Sequence, residues 1–323
     1  MVAVLEPLAP RKTIWQRLKS RMGRRIIAFY AFIAPWLLGL ILLDIVPFVV
    51  GLYVSFTNFD GLDWPGTWVG FGNYVRAFTD DPDVAFSFGK TVLWSGLNTP
   101  LWVIISFTMA LILNQAVKGR DFFRTLYYLP SVVPAVAAAA IWRVYLDANN
   151  GLLNAILSAI RPGWMVRWLS NYALPSITAI SVWGGLGGGM VIFLAGLQNI
   201  PTELEEAALI DGATRLRVFR HITIPLMTPV IFFQLIMALI GSLQAFAMPM
   251  LVFAGGAMGG SVPRSVYLFV VHTYRQIFAF HRYGYGTALL WLISIVIIAL
   301  TAVVFRTARY WVFYETALGG GPK

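Results

Sequence analysis

The 323-residue sequence contains no cysteine and few charged residues, and both shortages narrow what the protein can be. Without cysteine there is no disulfide framework, no thiolate metal site and no cysteine nucleophile. Charged residues make up 12% of the sequence, about half their usual share in soluble domains, whereas 59% of the residues are apolar. Too few charges remain to cover a water-exposed surface, and the apolar excess argues against a disordered chain. The composition therefore indicates an integral membrane protein.

Long uncharged runs locate the membrane spans, since a helix needs about 20 apolar residues to cross ~30 Å of hydrocarbon. A first run, interrupted only by Asp44, separates Arg25 from Asp60. Five further runs lie between Lys90 and Lys118, Arg124 and Arg143, Arg167 and Glu203, Arg220 and Arg264, and Arg282 and Arg306. The sequence thus predicts an all-α membrane domain with six spans over residues 26–310.

The run between Arg220 and Arg264 is the longest, with 43 residues, and is open to two interpretations. A tight pair of spans turning at Gly255 would place Arg264 at the middle of the bilayer, where a charge costs about 2.5–3.5 kcal/mol. We therefore predict one span, over about 225–253, followed by a glycine- and methionine-rich loop.

The distribution of Lys and Arg predicts the orientation in the membrane. Sixteen of the 24 lie in four segments on one side, namely 1–25, 115–124, 198–224 and 306–323. Because cytoplasmic loops are enriched in basic residues, both termini are predicted to be cytoplasmic, with 58–88 and 254–282 facing outward. The net charge of +10 is then explained by the basic residues of the predicted cytoplasmic segments, and no nucleic-acid partner is expected. Residues 1–25 are predicted to form a basic amphipathic segment suited to anionic membrane lipid, and 311–323 a cytoplasmic tail.

The sequence lacks the residue patterns that ATP hydrolysis, metal binding and ion coupling require. Gly89-Lys90-Thr91 resembles the end of a phosphate-binding loop, but Val84 stands where that loop requires glycine, so the chain is not expected to hydrolyse ATP. The three histidines, His221, His272 and His281, have no second ligand at metal-binding spacing, and no metal is expected. The last three predicted spans contain no ionisable residue at depth, which favours an uncharged substrate or an external energy source.

Residues 201–224 predict a helical hairpin on the cytoplasmic side. Thr202 and Glu205 have the spacing of a capping box that begins one short helix. Gly212 is suited to end that helix, and Thr214 to cap a second short helix that ends before Pro225 begins the next span. Helices of two turns are marginal in isolation, so this hairpin should need a partner to pack on.

The apolar residues of the hairpin support a docking role. Leu204, Ala207 and Ala208 predict one small apolar face, and Leu216 and Phe219 predict another. A solvated linker would not need this pattern. The segment is therefore interpreted as a docking element for a cytoplasmic partner.

This segment resembles the EAA loop of permeases from binding-protein-dependent ABC importers. The matching positions are Glu206-Ala207-Ala208, Gly212, Ile222 and Pro225, with Ile224 in place of the usual leucine. Ile200-Pro201, Asp211-Gly212-Ala213 and, in the first external loop, Gly70-Phe71-x-Asn73-Tyr74 are similar to the carbohydrate, or maltose-type, branch of that family.

The resemblance implies a type I ABC importer permease in a prokaryotic plasma (inner) membrane. It implies a second homologous permease subunit, two ATPase subunits that use ATP and Mg²⁺, an extracytoplasmic sugar-binding protein and no cofactor on this chain. The EAA residues would couple the permease to an ATPase, with Glu206 accepting hydrogen bonds from an arginine. The alternatives are a secondary carrier or channel for a small neutral solute, which predicts ionisable residues in the spans, and a polytopic enzyme, which predicts clustered Asp, His and Ser. Neither pattern is seen.

A neutral sugar needs hydrogen-bonding groups and aromatic or apolar surfaces without charge. In the predicted fifth span the polar candidates are Ser242 and Gln244, and Gly241 and Ala245 lie beside them. Because Ser242 and Gln244 are two residues apart, their side chains point to nearly opposite faces of the helix, and Gln244 is favoured. In the fourth, the candidates are Trp183, Gly184, Gly185 and Gly188. The alternatives are that the glycines pair as small-xxx-small packing contacts and that Gln244 bonds a neighbouring helix.

Overall fold

The computed structural model describes residues 21–115, 118–255 and 260–313, without the side chains of 21–24, 26 and 27, and this part of the chain is helical. It contains no strand, and one antiparallel bridge pairs Thr57 with Trp68. The helices are Arg21–Gly39, Val46–Ser55, Gly72–Thr79, Pro82–Asn114, Arg120–Val132, Ala135–Tyr145, Leu152–Ile160, Trp168–Asn171, Ala173–Gln198, Thr202–Ile210, Arg215–Val218, Ile224–Leu243, Ala247–Phe253, Phe269–Tyr274 and Tyr283–Trp311. Shorter π-helical or 3₁₀ turns cover Leu40–Ile45, Phe219–Thr223, Arg264–Val266 and Arg275–Ala279.

Five helices within the described ranges are long and apolar enough to cross a membrane. They are Ala28–Ser55 (span 1), Pro82–Asn114 (span 2), Ala173–Gln198 (span 4), Arg215–Leu243 (span 5) and Tyr283–Trp311 (span 6). The pair Arg120–Val132 (span 3a) and Ala135–Tyr145 (span 3b) completes the predicted six when it is counted as one crossing. The prediction of an all-α membrane fold is thereby confirmed.

The third predicted span is not one continuous helix, because spans 3a and 3b are bent by 99° where they meet. Pro134 lies at the bend, and Val133 before it is extended, with φ −69° and ψ 124°. A residue that precedes proline is disfavoured in the helical region, so the helix ends there.

Span 5 also differs from the prediction of one helix over about 225–253. The helix starts earlier, at Arg215, and ends at Leu243; the chain turns over 244–246 before the short helix Ala247–Phe253. Pro225 does not begin the span, and a widened turn accommodates it. The Ile224 N–H donates to the carbonyl of Phe219, five residues back, instead of the usual four, just before the proline.

The chain divides into two compact units, residues 1–54 and 55–323. In the second unit, span 2 packs most extensively on span 4 and also on span 5, while span 4 packs on span 3a. A core cluster joins spans 2, 4 and 5 and contains Ala110, Leu113, Met190, Phe193, Leu194, Leu197 and Met227. Most of the predicted amphipathic segment 1–25 and tail 311–323 lies outside the described residues.

The motif Gly70-Phe71-x-Asn73-Tyr74 closes the first external loop. The buried Asn73 side chain donates to the carbonyls of Ser55 (2.9 Å) and Thr57 (2.7 Å), and the Tyr74 hydroxyl lies 2.8 Å from the Ser55 hydroxyl. Because a buried amide must find hydrogen-bonding partners, these contacts fix the chain that follows span 1.

Candidate coupling site and solute path

The hairpin predicted to be cytoplasmic begins with the helix Thr202–Ile210, here called the coupling helix, and a glycine turn ends this helix. Gly212 has φ +84°, a conformation that residues with a Cβ rarely adopt. The Gly212 N–H donates to the carbonyl of Leu209 (3.1 Å), and the Ala213 N–H donates to that of Ala208 (2.9 Å). This is the Schellman arrangement, which satisfies the last carbonyls of a helix. The predicted role of Gly212 as a helix end is confirmed.

The start of the coupling helix differs from the prediction. Thr202 is its first helical residue, the preceding Pro201 occupies the cap position, and no side chain caps the helix. The predicted capping box is therefore wrong. The Glu205 carboxylate instead accepts a hydrogen bond from the Thr223 hydroxyl at 3.4 Å, which joins the coupling helix to the beginning of span 5.

The second half of the hairpin is continuous with span 5. Thr214 caps it as predicted, accepting from the Arg217 N–H at 3.4 Å. The short helix Arg215–Val218 continues through the π-helical turn Phe219–Thr223 into Ile224–Leu243, so the prediction that it is separate from span 5 is wrong. Ile222 and Pro225, the last two matching positions of the EAA segment, are half-buried within this helix.

The coupling helix exposes both apolar and acidic side chains. Glu206 and Ala207 are exposed, Ala208 is half-buried, and Ile210 keeps 85% of its side-chain surface accessible. Leu216, across the glycine turn, is 74% exposed, whereas Phe219 is half-buried. Exposed apolar side chains together with a carboxylate are the composition expected of a protein-binding surface.

The polar candidates of span 5 lie at its broken end. Gln244 is the first residue after the helix and is exposed, as is Gly241 three residues earlier, while Ala245 is half-buried. Ser242 is buried, and its hydroxyl lies 3.0 Å from the Thr99 hydroxyl of span 2. The two polar side chains therefore point to different sides, and Ser242 serves the packing of spans 2 and 5.

Two glycines of span 4 pack closely against span 2, and two others face open space. A Cβ on Gly185 would lie 2.4 Å from Trp102 Nε1, and one on Gly189 would lie 2.6 Å from Trp102 Cζ2. Gly184 and Gly188 have no heavy atom within 4 Å of the corresponding position. Gly185 and Gly189 thus admit the Trp102 ring of span 2, whereas Gly184 and Gly188 leave backbone accessible.

Trp183 faces other aromatic and apolar side chains. Its ring contacts Trp142 of span 3b edge to face, with the centroids 5.5 Å apart. It also lines a groove of about 600 Å³ between spans 2 and 4, where Leu97, Leu101 and Thr178 are among its neighbours. This groove offers an apolar surface and few hydrogen-bonding groups.

A cluster of polar residues at the predicted outer end of the molecule was missed by the sequence analysis. One carboxylate oxygen of Asp81 accepts from His272 Nε2 (3.1 Å), Gln276 Nε2 (3.4 Å) and the Tyr285 hydroxyl (2.8 Å). The Tyr267 hydroxyl lies 3.0 Å from His272 Nδ1. These five residues, here called the outer latch, join the start of span 2 to the start of span 6 through the intervening helix.

His272 therefore has hydrogen-bonding partners, whereas the sequence predicts an isolated histidine. One neutral tautomer satisfies both ring nitrogens, because Nε2–H donates to Asp81 and Nδ1 accepts from Tyr267. Ligand atoms of Asp81, Asp83 and His272 lie within 4.8 Å of one another, a spacing compatible with a metal ion. Each already has a protein partner, since Asp83 pairs with Arg264, so the cluster is explained as an ion-pair and hydrogen-bond network.

Acidification is expected to weaken the outer latch. Burial lowers the pKa of His272, while the carboxylates of Asp81 and Asp83 oppose that shift and Arg275 reinforces it. Below about pH 6.5, the usual pKa of histidine, His272 takes up a proton in the unfolded chain but stays neutral in the folded chain. The free energy of unfolding therefore falls as the pH drops. We expect the melting temperature of the purified protein to fall by a few degrees more between about pH 7 and pH 5.5 than that of His272→Gln. Equal pH dependence of both proteins would contradict this role.

Gly89-Lys90-Thr91 proves to be an ordinary turn of span 2. The Thr91 hydroxyl donates to the carbonyl of Ser87 (2.9 Å) and accepts from the Phe269 N–H (2.8 Å). The motif thus joins span 2 to the external helix Phe269–Tyr274, and it forms no loop around a phosphate.

Known proteins resemble this chain in sequence and in fold. Residues 102–312 match the family described as binding-protein-dependent transport system inner membrane component. The probable ABC transporter permease protein YesP of Bacillus subtilis is 36% identical over 92% of this chain and 96% of its own. The trehalose/maltose transport system permease protein MalF of Thermococcus litoralis is 31% identical over 87% and 93%. A bacterial alginate ABC transporter, solved with an alginate pentasaccharide-bound periplasmic protein, has a similar fold, with TM-score 0.78 and 22% identity over 92% of this chain and 97% of that one.

Proposed function

The chain belongs to the family of inner membrane components of binding-protein-dependent transport systems, and we propose that it forms half of the translocation pathway of an ATP-driven sugar importer. As a family member it is a multi-pass inner-membrane permease subunit, which decides against a secondary carrier, a channel or a membrane enzyme. The trehalose/maltose permease among its relatives and the alginate transporter among its structural neighbours support a saccharide substrate. Span 4 and residues 222–243 of span 5 contain no charged residue, which suits such a ligand.

The observation that carries this proposal is the exposed coupling helix, which is joined by one turn to the long helix of span 5. This helix exposes one acidic and two apolar side chains, those of Glu206, Leu204 and Ile210. No other described residue of this chain covers them. A separate cytoplasmic ATPase subunit would bury the apolar side chains and pair with the carboxylate. ATP and Mg²⁺ would act on that subunit, and this chain would bind no cofactor.

The remaining partners follow from the same assignment. A second homologous permease subunit would complete the pathway, because this chain is proposed to form only one of its two walls. The extracytoplasmic binding protein would dock on the outward loops, 58–88 and 254–282, and both termini would be cytoplasmic. The excess of basic residues on the predicted cytoplasmic side supports this orientation.

The proposed coupling role is tested by charge reversal on the coupling helix. In vesicles reconstituted with the permease pair, the ATPase and the sugar-loaded binding protein, Glu206→Arg is expected to abolish sugar uptake and sugar-stimulated ATP hydrolysis. The matched control is Glu203→Arg, because Glu203 carries the same charge on the same exposed helix but lies outside the EAA segment. Native uptake by Glu206→Arg, or equal losses in both variants, would contradict the assignment of Glu206.

For the solute path, we propose the break that follows span 5. Non-helical backbone at membrane depth is tolerated where it is buried or lines an aqueous cavity, and broken helices form the substrate sites of many transporters. Gln244 lies at this break with its side chain exposed and, among the described residues, without a hydrogen-bonding partner. Its amide can both donate to and accept from a sugar hydroxyl.

Gln244→Leu is expected to reduce uptake at limiting sugar while basal ATP hydrolysis is retained, because leucine keeps the volume and removes both hydrogen-bonding functions. Loss of one good hydrogen bond predicts a change of about tenfold or less. Ser242→Ala is the control, since the Ser242 hydroxyl bonds Thr99 rather than the exposed side. Unchanged uptake by Gln244→Leu would remove Gln244 from the path.

A further inference from the structure

A groove opens between span 3a and the cytoplasmic half of span 4. The two helices approach each other closely at Gly187, where an added Cβ would lie 2.7 Å from Tyr128 Cα. Beyond this contact they leave a groove of about 450 Å³ lined by Arg124, Thr125, Tyr128, Val191, Leu194, Ala195 and Gln198. Val191, Ala195 and Gln198 follow one another at helical spacing and are all exposed, so they form one wall of the groove.

Two arginines converge at the cytoplasmic end of this groove. With its amide oxygen turned toward them, Gln198 accepts from Arg124 Nη2 at 3.0 Å and from Arg120 Nη2 at 2.5 Å. The Nε of Arg120 is buried and has no hydrogen-bonding partner. Among the described residues, neither guanidinium forms an ion pair with a carboxylate.

A bound anion would stabilise this arrangement. Like charges four residues apart on a helix repel each other, and one neutral amide oxygen does not balance two guanidinium groups. A buried donor without a partner adds to the cost. A phosphate group would supply the missing charge and several acceptor oxygens for the two planar arginines.

We propose that the groove binds an anionic phospholipid of the cytoplasmic leaflet, with its phosphate on Arg120 and Arg124 and an acyl chain along span 4. Val191 lies seven residues from Gln198, about 10 Å along the helix, so the groove continues into the hydrocarbon as an apolar surface. A soluble phosphate would fill only the charged end. A lipid fits both ends, and basic pockets between spans on the cytoplasmic side are suited to acidic headgroups.

The site lies next to the coupling machinery. Gln198 ends span 4, and the coupling helix begins four residues later at Thr202. A headgroup held on Gln198 and the two arginines would therefore fix the point from which the coupling helix departs.

The proposal is tested on the full chain in nanodiscs of phosphatidylcholine with or without phosphatidylglycerol, followed by native mass spectrometry. We expect one retained phosphatidylglycerol per chain, and at least about tenfold lower occupancy in Arg120→Gln/Arg124→Gln. Lys118→Gln is the charge control, because Lys118 is exposed and, unlike the two arginines, does not donate to Gln198. Equal retention of the lipid by the double variant and the unmodified chain would overturn the proposal.

The apolar half of the groove is tested separately. Ala195→Trp should fill the groove and release the lipid with both arginines intact, whereas Ile192→Trp, on the neighbouring exposed face, should not. Displacement of the lipid by inorganic phosphate at low concentration would indicate a soluble-anion site and overturn the lipid assignment. In the assembled importer, crosslinking of Thr125→Cys to the ATPase without retained lipid would identify a protein contact and overturn it as well, because Thr125 lines the groove and this variant keeps both arginines.

Discussion

Replacement of Gly212 by proline is expected to abolish sugar-stimulated ATP hydrolysis and uptake in the assembled importer. Gly212 has φ +84°, whereas proline is fixed near −65° and has no N–H to donate to Leu209. Both hydrogen bonds that end the coupling helix depend on this turn, so the two halves of the hairpin would lose their relative orientation. No heavy atom lies within 4 Å of a Cβ at this position, so the damage would come from the backbone and not from a clash.

The appropriate control is Gly212→Asn, because asparagine tolerates positive φ better than other residues with a Cβ. We expect this variant to retain most of the activity. The membrane level of each variant, measured by immunoblotting, should equal that of the unmodified protein, since Gly212 lies outside the spans. Native ATPase stimulation in Gly212→Pro would show that coupling does not require this turn.

Gly189→Leu is expected to destabilise the folded protein more than any other substitution proposed for this chain. A Cβ at this position would lie 2.6 Å from Trp102 Cζ2 and 2.8 Å from the Ser106 hydroxyl, so leucine would force spans 2 and 4 apart. Overpacking of a well-packed interior costs about 1–3 kcal/mol, and here it affects the most extensive interhelical contact of the second unit. We expect a lower melting temperature in detergent and a reduced amount of protein in the membrane.

Gly188→Leu is the matched control for stability. Gly188 is the adjacent residue of the same helix, but an added Cβ there meets no heavy atom within 4 Å. Its melting temperature should therefore stay close to that of the unmodified protein. Equal destabilisation of both variants would mean that glycine is required throughout this run for helix geometry and not for its contact with Trp102.

The sequence predicted the spans well because membrane insertion depends on the length and charge of each run. It did not predict where those runs bend. Eighteen uncharged residues between Arg124 and Arg143 indicate one crossing, yet Pro134 divides it into two helices at 99°. The 43-residue run likewise gave no sign of the break at Gln244, because hydropathy does not report backbone direction.

The candidate site was predictable where its residues are close together in the sequence. Gly212 and Thr214 act on their immediate neighbours, so their roles follow from local turn chemistry. Asp81 and His272 lie 191 positions apart, and only the packing of the external helix on span 2 brings them together. The capping box failed for a different reason: Glu205 found a partner in Thr223, which the local pattern does not reveal.

The unbroken helix Arg215–Leu243 has a mechanical consequence. Its 29 residues extend about 43 Å, from the turn at Gly212 to the break before Gln244. Two positions along this helix could absorb part of a displacement, namely the widened turn beside Pro225 and the interior Pro229, which removes a backbone hydrogen bond. Movement of the end that joins the hairpin would then be transmitted along the helix toward Gln244, so labels at the two ends of the helix would report one event in a spectroscopic experiment.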